Sequence, residues 1–375
     1  ARTIFFFTFL FCILSCNINE EKFVNPKKRY KTENVIVIVV DGARYSETWG
    51  DSTHKNIPFF TNKIANSGIV NTEFYNNGYT KTVSGFTAIT TGSYQNMNNK
   101  GKEFPKYPSI FQSFVKSNSL KSKNLFSFPL QNKNTWIINS KHTLGVLGNS
   151  IHPDWKNKHL PSLDCGYHFI FPLRGLKYHY NGMGSYDRHD TLTLANFFNV
   201  TSKYKPNLIL IGFNEPDVSG HKNSWKGYVK GIQDTDKYIY KIWDYIQKNP
   251  YYKGKTTLFI TNDHGRHLDK IKSPSLKTSI LSKIQRNKKN NTKEFKENSQ
   301  EICESTQSIG WSEHGDDCLG CRHVMFFAFG PDFKTGEINN KRELIDIPAT
   351  IAELLQFDSK YIEGEVMYEL FNDYS

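Results

Sequence analysis

The run Asn34-Val35-Ile36-Val37-Ile38-Val39-Val40 is apolar without alternation. A strand formed from it is buried on both faces, which places it in the middle of a covered, mainly parallel sheet. The segments Asn207 to Phe213 and Thr256 to Thr261 have the same character. Each is followed at once by acidic residues: Asp41 after the first, Glu215 and Asp217 after the second, Asp263 after the third. Ligands of α/β sheets bind at the carboxyl ends of the strands, so three acidic strand ends predict a site along one edge of the sheet. Between these runs, apolar and aromatic residues recur at near-helical spacing over Ile57 to Ser67, Tyr107 to Ser117 and Tyr228 to Gln247. Thr135 to Ile138 and Val324 to Phe329 read as further strands. Strand and helix alternate, which predicts an α/β three-layer sandwich around a central, mostly parallel sheet.

The 375 residues are 38% hydrophobic, enough for a sizeable core. The formal charge of +12 comes largely from lysines spread along the chain. That describes a basic surface favouring acidic substrates, and with no zinc-finger helix or RNA-binding signature beside it, no specific nucleic acid partner is expected. Arg2 and the apolar run Ile4 to Leu14 resemble a signal peptide, and Ile13-Leu14-Ser15-Cys16 resembles a bacterial lipobox. The expectation is an exported chain in the bacterial periplasm or at the cell surface, tied to the membrane by a lipid on Cys16. Residues 1–16 then form the leader, 17–33 a polar tether, and 34–375 one catalytic domain with a Lys/Asn-rich insert or cap near 271–301. Setting Cys12 and Cys16 aside leaves Cys165, Cys303, Cys318 and Cys321, an even number that predicts two disulfides in an oxidising compartment. Cys303–Cys318 with Cys165–Cys321 is one of the three pairings. Cys318-Leu319-Gly320-Cys321 and His323 mimic half of a zinc finger, but no second half with matching spacing exists.

The chemistry is carried by a constellation. Taken alone, Asp41-Gly42 after a strand is a turn signal. Asn214-Glu215-Pro216-Asp217-Val218-Ser219-Gly220-His221 sets a carboxylate and an imidazole four positions apart, where both can face one ion. Asn262-Asp263-His264-Gly265 adds a second such pair beyond a strand, and Trp311-Ser312-Glu313-His314-Gly315 a third imidazole. Together with Thr80-Lys81-Thr82, these segments resemble the nucleotide pyrophosphatase and phosphodiesterase branch of the alkaline phosphatase superfamily. Its order is kept: an aspartate after the first strand, a Thr-Lys-Thr loop, Glu-Pro-Asp-x-x-Gly-His, Asp-His-Gly and a late His-Gly.

The resemblance implies an alkaline-phosphatase-like fold and a two-metal hydrolase of phosphoric esters. Asp217, His221 and His314 would hold one divalent ion, and Asp41, Asp263 and His264 the other beside the Thr82 oxygen. The implied metals are zinc, with manganese as the alternative. Thr82 would attack phosphorus as a metal-activated hydroxyl and form a phosphothreonine intermediate. Two positions are implied for substrate binding. Asn99 matches an asparagine that hydrogen-bonds a phosphate oxygen, with Asn96 and Asn98 as alternatives. Lys141, in Ser140-Lys141-His142-Thr143, matches a lysine that some monoesterases use to grip extra phosphate charge. Thr143 departs from the arginine expected two residues later, which favours a phosphodiesterase or nucleotide pyrophosphatase over a phosphomonoesterase. The implied substrates are phosphorylated small molecules, glycans or nucleotides; a lipoprotein that only binds them is the non-catalytic alternative. The formylglycine motif of sulfatases, Cys/Ser-x-Pro-x-Arg, does not occur.

Overall fold

β1 (Asn34–Val40) is buried along its whole length. Val35, Val37 and Val39 enter one hydrophobic core, and Ile36, Ile38 and Val40 the other. This two-sided burial is why the run does not alternate, and it makes β1 the middle of a three-layer sandwich. The computed structural model describes residues 29–121, 132–166, 186–268 and 310–372. Cys16, Cys303 and the stretch expected as an insert near 271–301 lie outside them.

The remaining strands are β2 (Ile69–Asn71), β3 (Phe74–Tyr75), β4 (Asn132–Asn139), β5 (Pro161–Cys165), β6 (Leu208–Phe213), β7 (Thr256–Thr261), β8 (Phe326–Phe329), β9 (Gly336–Ile338) and β10 (Arg342–Glu343). Among the described residues they form an eight-stranded sheet in the order β5-β4-β6-β1-β7-β8-β2-β9, with β3 and β10 paired apart. From β5 to β7 every pairing is parallel. β8 runs antiparallel to both its neighbours. One core is closed by α1 (Thr82–Thr91) and α2 (Ile110–Lys121), the other by α3 (Asp190–Tyr204). α4 (Glu215–His221) follows β6, and α5 (Trp225–Lys248) lays Ile232, Ile239, Ile242 and Ile246 on the second core. The short α6 (Leu319–Arg322) precedes β8, and α7 (Asp346–Leu355) packs Ile347, Ile351 and Leu354 against the first core.

Three expectations are corrected in detail. The predicted helix over Ile57 to Ser67 forms a π turn at Phe60–Ile64 followed by a 3-10 turn at Ala65–Ser67. The predicted strand from Val324 begins at Phe326, because the Val324 amide donates to the Phe74 carbonyl and the Met325 amide to Asn262 Oδ1, leaving the ladder. The Cys165–Cys321 disulfide is not formed, and both thiols are free. Cys165 closes the edge strand β5, whereas Cys321 lies in α6, whose carbonyl accepts the Gly265 amide just past β7. Strands β4, β6 and β1 stand between the two.

Asp236 on α5 fastens the irregular turn by accepting the Phe59 and Phe60 amides, each at 2.8 Å. Burial lifts its carboxyl to about 6, and the two amide donors restrain the rise. The folded value exceeds the unfolded one, so the contribution of Asp236 is complete below the ordinary value of 3.8 and is lost as pH rises through about 6. The loss amounts to at most about 3 kcal/mol. Denaturant titrations of wild type and Asp236→Asn at about pH 4 and about pH 7 are expected to show the wild type losing ground to the variant at the higher pH.

Candidate active site

The acidic strand ends converge as the periodicity predicted. Asp41 follows β1, with its amide donating to the Phe213 carbonyl at 2.9 Å. Asp217 and His221 lie one turn apart on α4 and so share a face. Asp263 and His264 stand just beyond β7, and His314 arrives from the segment before α6. Thr82 is the first residue of α1, where the helix presents its unpaired amides. Two glycines permit the close approach. Gly42 has φ +69° and lies against Asp217, while a Cβ on Gly85 would sit 2.5 Å from the Asp263 carbonyl oxygen.

The ligand atoms fall into two groups, Asp217 with His221 and His314, and Asp41 with Asp263 and His264, each within 4.8 Å of one another. In the first, His221 Nε2 lies 3.1 Å from His314 Nε2, and Asp217 Oδ1 lies 3.4 Å and 3.5 Å from them. In the second, His264 Nε2 is 3.4 Å from Asp41 Oδ1 and 3.3 Å from Asp263 Oδ2. Thr82 Oγ1 is 3.4 Å from both Asp41 Oδ1 and His264 Nε2. Ligands at roughly 2.0–2.1 Å from a tetrahedral ion stand roughly 3.3 Å apart, so the donor set fits a pair of divalent cations. Among the described residues Asp263 Oδ2, fully buried, accepts no hydrogen bond, an orphan that such a cation would satisfy. The two buried imidazoles are aimed from behind. His264 Nδ1 donates to the Gly265 carbonyl and His314 Nδ1 to the Thr80 carbonyl, both at 2.8 Å, which turns each Nε2 inward.

The charges respond to this crowding. Burial, then the neighbouring Asp41, drives the Asp263 carboxyl well above the carboxylate range. Burial also opposes ionisation of Asp217, but Lys141, His314, His264 and Arg266 overcome it and hold Asp217 well below that range. Burial disfavours the His264 imidazolium, yet Asp263 and Asp41 outweigh it and lift His264 to about 9. His314 is held well below its ordinary value by burial and by His264, whose ring stacks on it with centroids 3.7 Å apart. The three crowded carboxylates are thus balanced by Lys141, by Arg266 and by protons favoured on Asp263 and His264, positions where bound cations could take the place of the protons.

Lys141 supplies one such cation. It follows β4, and its Nζ lies 2.7 Å from Asp41 Oδ2, 2.8 Å from Asp217 Oδ2 and 3.2 Å from Thr82 Oγ1. Burial lowers its pKa, but Asp217 and Asp41 more than compensate, so it stays charged. Of the three candidate asparagines, Asn99 is the one bound to the start of α1, its Oδ1 accepting the Val83 amide at 3.0 Å. Asn96 Oδ1 accepts from Lys81 Nζ at 3.4 Å, and Asn98 Oδ1 caps the Lys100 amide.

A family model described as type I phosphodiesterase / nucleotide pyrophosphatase matches residues 35–268, well over half of the chain. The chain belongs to this family. A model for the metalloenzyme superfamily matches residues 186–359. Among solved structures, one of a protein in the alkaline phosphatase superfamily from Vibrio parahaemolyticus aligns with a TM-score of 0.55 at 12% identity, covering 91% of this chain and 71% of that one. Murine ectonucleotide pyrophosphatase / phosphodiesterase 5 gives 0.54 at 15% identity, covering 90% of this chain and 100% of its own. Wild-type alkaline phosphatase PafA gives 0.54 at 14%, covering 93% and 100%. At such identities the likeness is one of fold, and the fold is alkaline-phosphatase-like. No curated protein matches the chain.

Two supporting residues escape a reading of this family's motifs. Arg266, fully buried, directs Nη2 to Asp217 Oδ1 at 2.5 Å and to the Asp217 carbonyl at 2.8 Å, and Nη1 to the Ser312 carbonyl. Its signal was present as an extra charge directly after Asp263-His264-Gly265. Asp190 accepts Ser140 Oγ at 2.5 Å and the Asn214 and Glu215 amides at 3.0 Å, joining the end of β4 to the start of α4. Nothing in its local sequence singles it out.

Proposed function

We propose that this family member is a phosphodiesterase or nucleotide pyrophosphatase that uses Thr82 as its nucleophile. The observation that carries the reading is the placement of Thr82 Oγ1 at a helix N-terminus, 3.4 Å from both Asp41 and His264 and 3.2 Å from Lys141 Nζ. The rival hydroxyls are engaged with backbone: Thr80 Oγ1 donates to the Asp316 carbonyl at 2.6 Å, and Ser84 Oγ accepts the Met97 amide at 3.0 Å. A threonine-to-alanine form of the murine relative, in complex with AMP, is described as inactive, which supports the same role here.

In this reading the six carboxylates and imidazoles would hold two divalent ions, zinc by the donor set, which would supply the positive charge that lowers the hydroxyl pKa and stabilises the leaving oxygen. Thr82 Oγ forms a bond to phosphorus as the P–O bond to the alcohol or nucleotide breaks. Water then cleaves the phosphothreonine, returning the hydroxyl and releasing the phosphorylated product. Lys141 would balance the charge on the non-bridging oxygens, and the Asn99 Nδ2 amide would donate a hydrogen bond to one of them.

A monoester carries one more negative charge than a diester and calls for more donors, so Thr143 in place of an arginine tips the choice toward diesters. Turnover of bis-p-nitrophenyl phosphate is expected to exceed that of p-nitrophenyl phosphate, and the reverse order would install the phosphomonoesterase reading that Lys141 favours. Lys141→Ala is expected to lower monoester turnover by a larger factor than diester turnover, about tenfold or more. Equal losses on both would remove Lys141 from charge recognition. Export with a lipid on Cys16 rests on the leader sequence, and the test is whether labelled fatty acid enters the wild type but not Cys16→Ala.

A further inference from the structure

A second convergence of donor groups stands apart from the catalytic one. His267 Nδ1 lies 3.2 Å from Asp316 Oδ2 and 3.5 Å from Cys318 Sγ. Cys321 completes the group, whose four ligand atoms are all within 4.8 Å of one another. His267 and both cysteines are buried. Two chain segments meet here: the one continuing from Asp263-His264, and the turn that runs from His314 into α6. Gly265 and Gly320 allow the contact, since a Cβ on Gly265 would lie 2.0 Å from the Gly320 carbonyl oxygen and one on Gly320 would lie 2.4 Å from that of Arg266.

The geometry fits an ion better than packing. With bond lengths of about 2.0–2.1 Å to nitrogen and oxygen and about 2.3 Å to sulfur, tetrahedral zinc sets N···O edges of roughly 3.3 Å and N···S edges of roughly 3.5 Å. The observed 3.2 Å and 3.5 Å reproduce them. Asp316 Oδ1 is occupied by the Cys318 amide at 3.0 Å, while the buried Oδ2, on the side of His267, accepts no hydrogen bond from any described residue. The Cys321 and Arg322 amides both donate to the Cys318 carbonyl at 3.0 Å, a turn that brings Cys318 and Cys321, three positions apart, onto one side. The Cys-x-x-Cys half-site therefore does have a partner half, and it comes from His267 and Asp316 rather than from a second cysteine pair.

We propose that His267, Asp316, Cys318 and Cys321 bind a structural zinc ion distinct from the ions of the catalytic centre. Two thiolates, an imidazole and a carboxylate make a closed site with no position left for substrate. The ion would clasp the segment carrying His314 to the one carrying His264. Thr80 Oγ1, donating to the Asp316 carbonyl, extends that clasp to the nucleophile loop. This assignment does not depend on the phosphodiesterase reading.

The test uses the full chain with its thiols kept reduced, loaded with Co²⁺ in place of zinc. A near-ultraviolet sulfur-to-cobalt charge-transfer band is expected, bleached by added Zn²⁺; the catalytic carboxylates and imidazoles contain no sulfur and cannot produce it. Cys321→Ser is expected to lose most of the band and one equivalent of metal per chain, whereas Cys165→Ser keeps both. Should Cys321→Ser fail to fold, thiol reactivity of the wild type serves instead, with Cys318 and Cys321 protected by Zn²⁺ and exposed to reagent after chelation. A reduced, folded wild type that gives no charge-transfer band overturns the proposal. So does a peptide map showing Cys318 or Cys321 in a disulfide in the protein as isolated. Loss of phosphoesterase activity alone bears on the catalytic reading, and loss of the band alone on this one.

Discussion

Thr82→Ala is expected to cut turnover by at least roughly three orders of magnitude while leaving the fold and most metal binding in place. Deleting a covalent nucleophile forces water to attack phosphorus directly, and losses of this size follow when one member of a cooperating set is removed. Six other side chains still furnish the two ligand groups. Thr82 does not fill the competing role, a helix cap: Lys81 stands at the N-cap position, Thr82 is the first residue inside α1, and the Val83 amide is accepted by Asn99 Oδ1. Stability should therefore change by less than the about 1 kcal/mol of a lost cap. Thr82→Ser keeps the oxygen and should retain part of the rate. Steady-state kinetics on folded, metal-loaded protein decide the matter, and near-wild-type rates for Thr82→Ala would sink the mechanism.

Chelation is the second change of comparable size. Treatment with a strong chelator should take turnover to background, and zinc should restore it. Asp41 and Asp263 are both buried with carboxylate oxygens directed at His264, and Asp263 is pushed up by burial and by Asp41. Two such carboxylates repel one another unless a cation stands between them. Ions that bind the folded state alone also add about 4 kcal/mol when present at about a thousand times their dissociation constant. A higher melting temperature should thus accompany the return of activity. Full turnover in protein whose metal analysis reads blank would contradict the two-ion reading.

The central strands were legible because burial on both faces abolishes alternation, as Val35 to Val40 show, and because an acid follows each one. Asp217 and His221 were legible through helical spacing. His314 needed a family pattern, since nothing local reveals that a chain segment so distant will bring its imidazole 3.1 Å from that of His221. Asp190 was not legible at all and Arg266 only as an extra charge beside a motif, because a carboxylate that accepts backbone amides and a buried ion pair are defined by partners remote in the sequence. The cysteines misled for the same reason. Parity of number says nothing about distance, and Cys165 lies on an edge strand that three strands separate from the one leading toward Cys321.

The position of β1 bears on how the chain reaches its native state. Both of its neighbours, β6 and β7, come from the second half of the chain. As the polypeptide emerges, Val35 to Val40 must wait for more than half of the protein before either of their edges can be paired. Closing such long loops is slow, and an unpaired apolar strand invites association with other chains in the meantime. Asp41 shares that delay, so the cluster of carboxylates and imidazoles can assemble only late, after β1 has been threaded between partners made long after it.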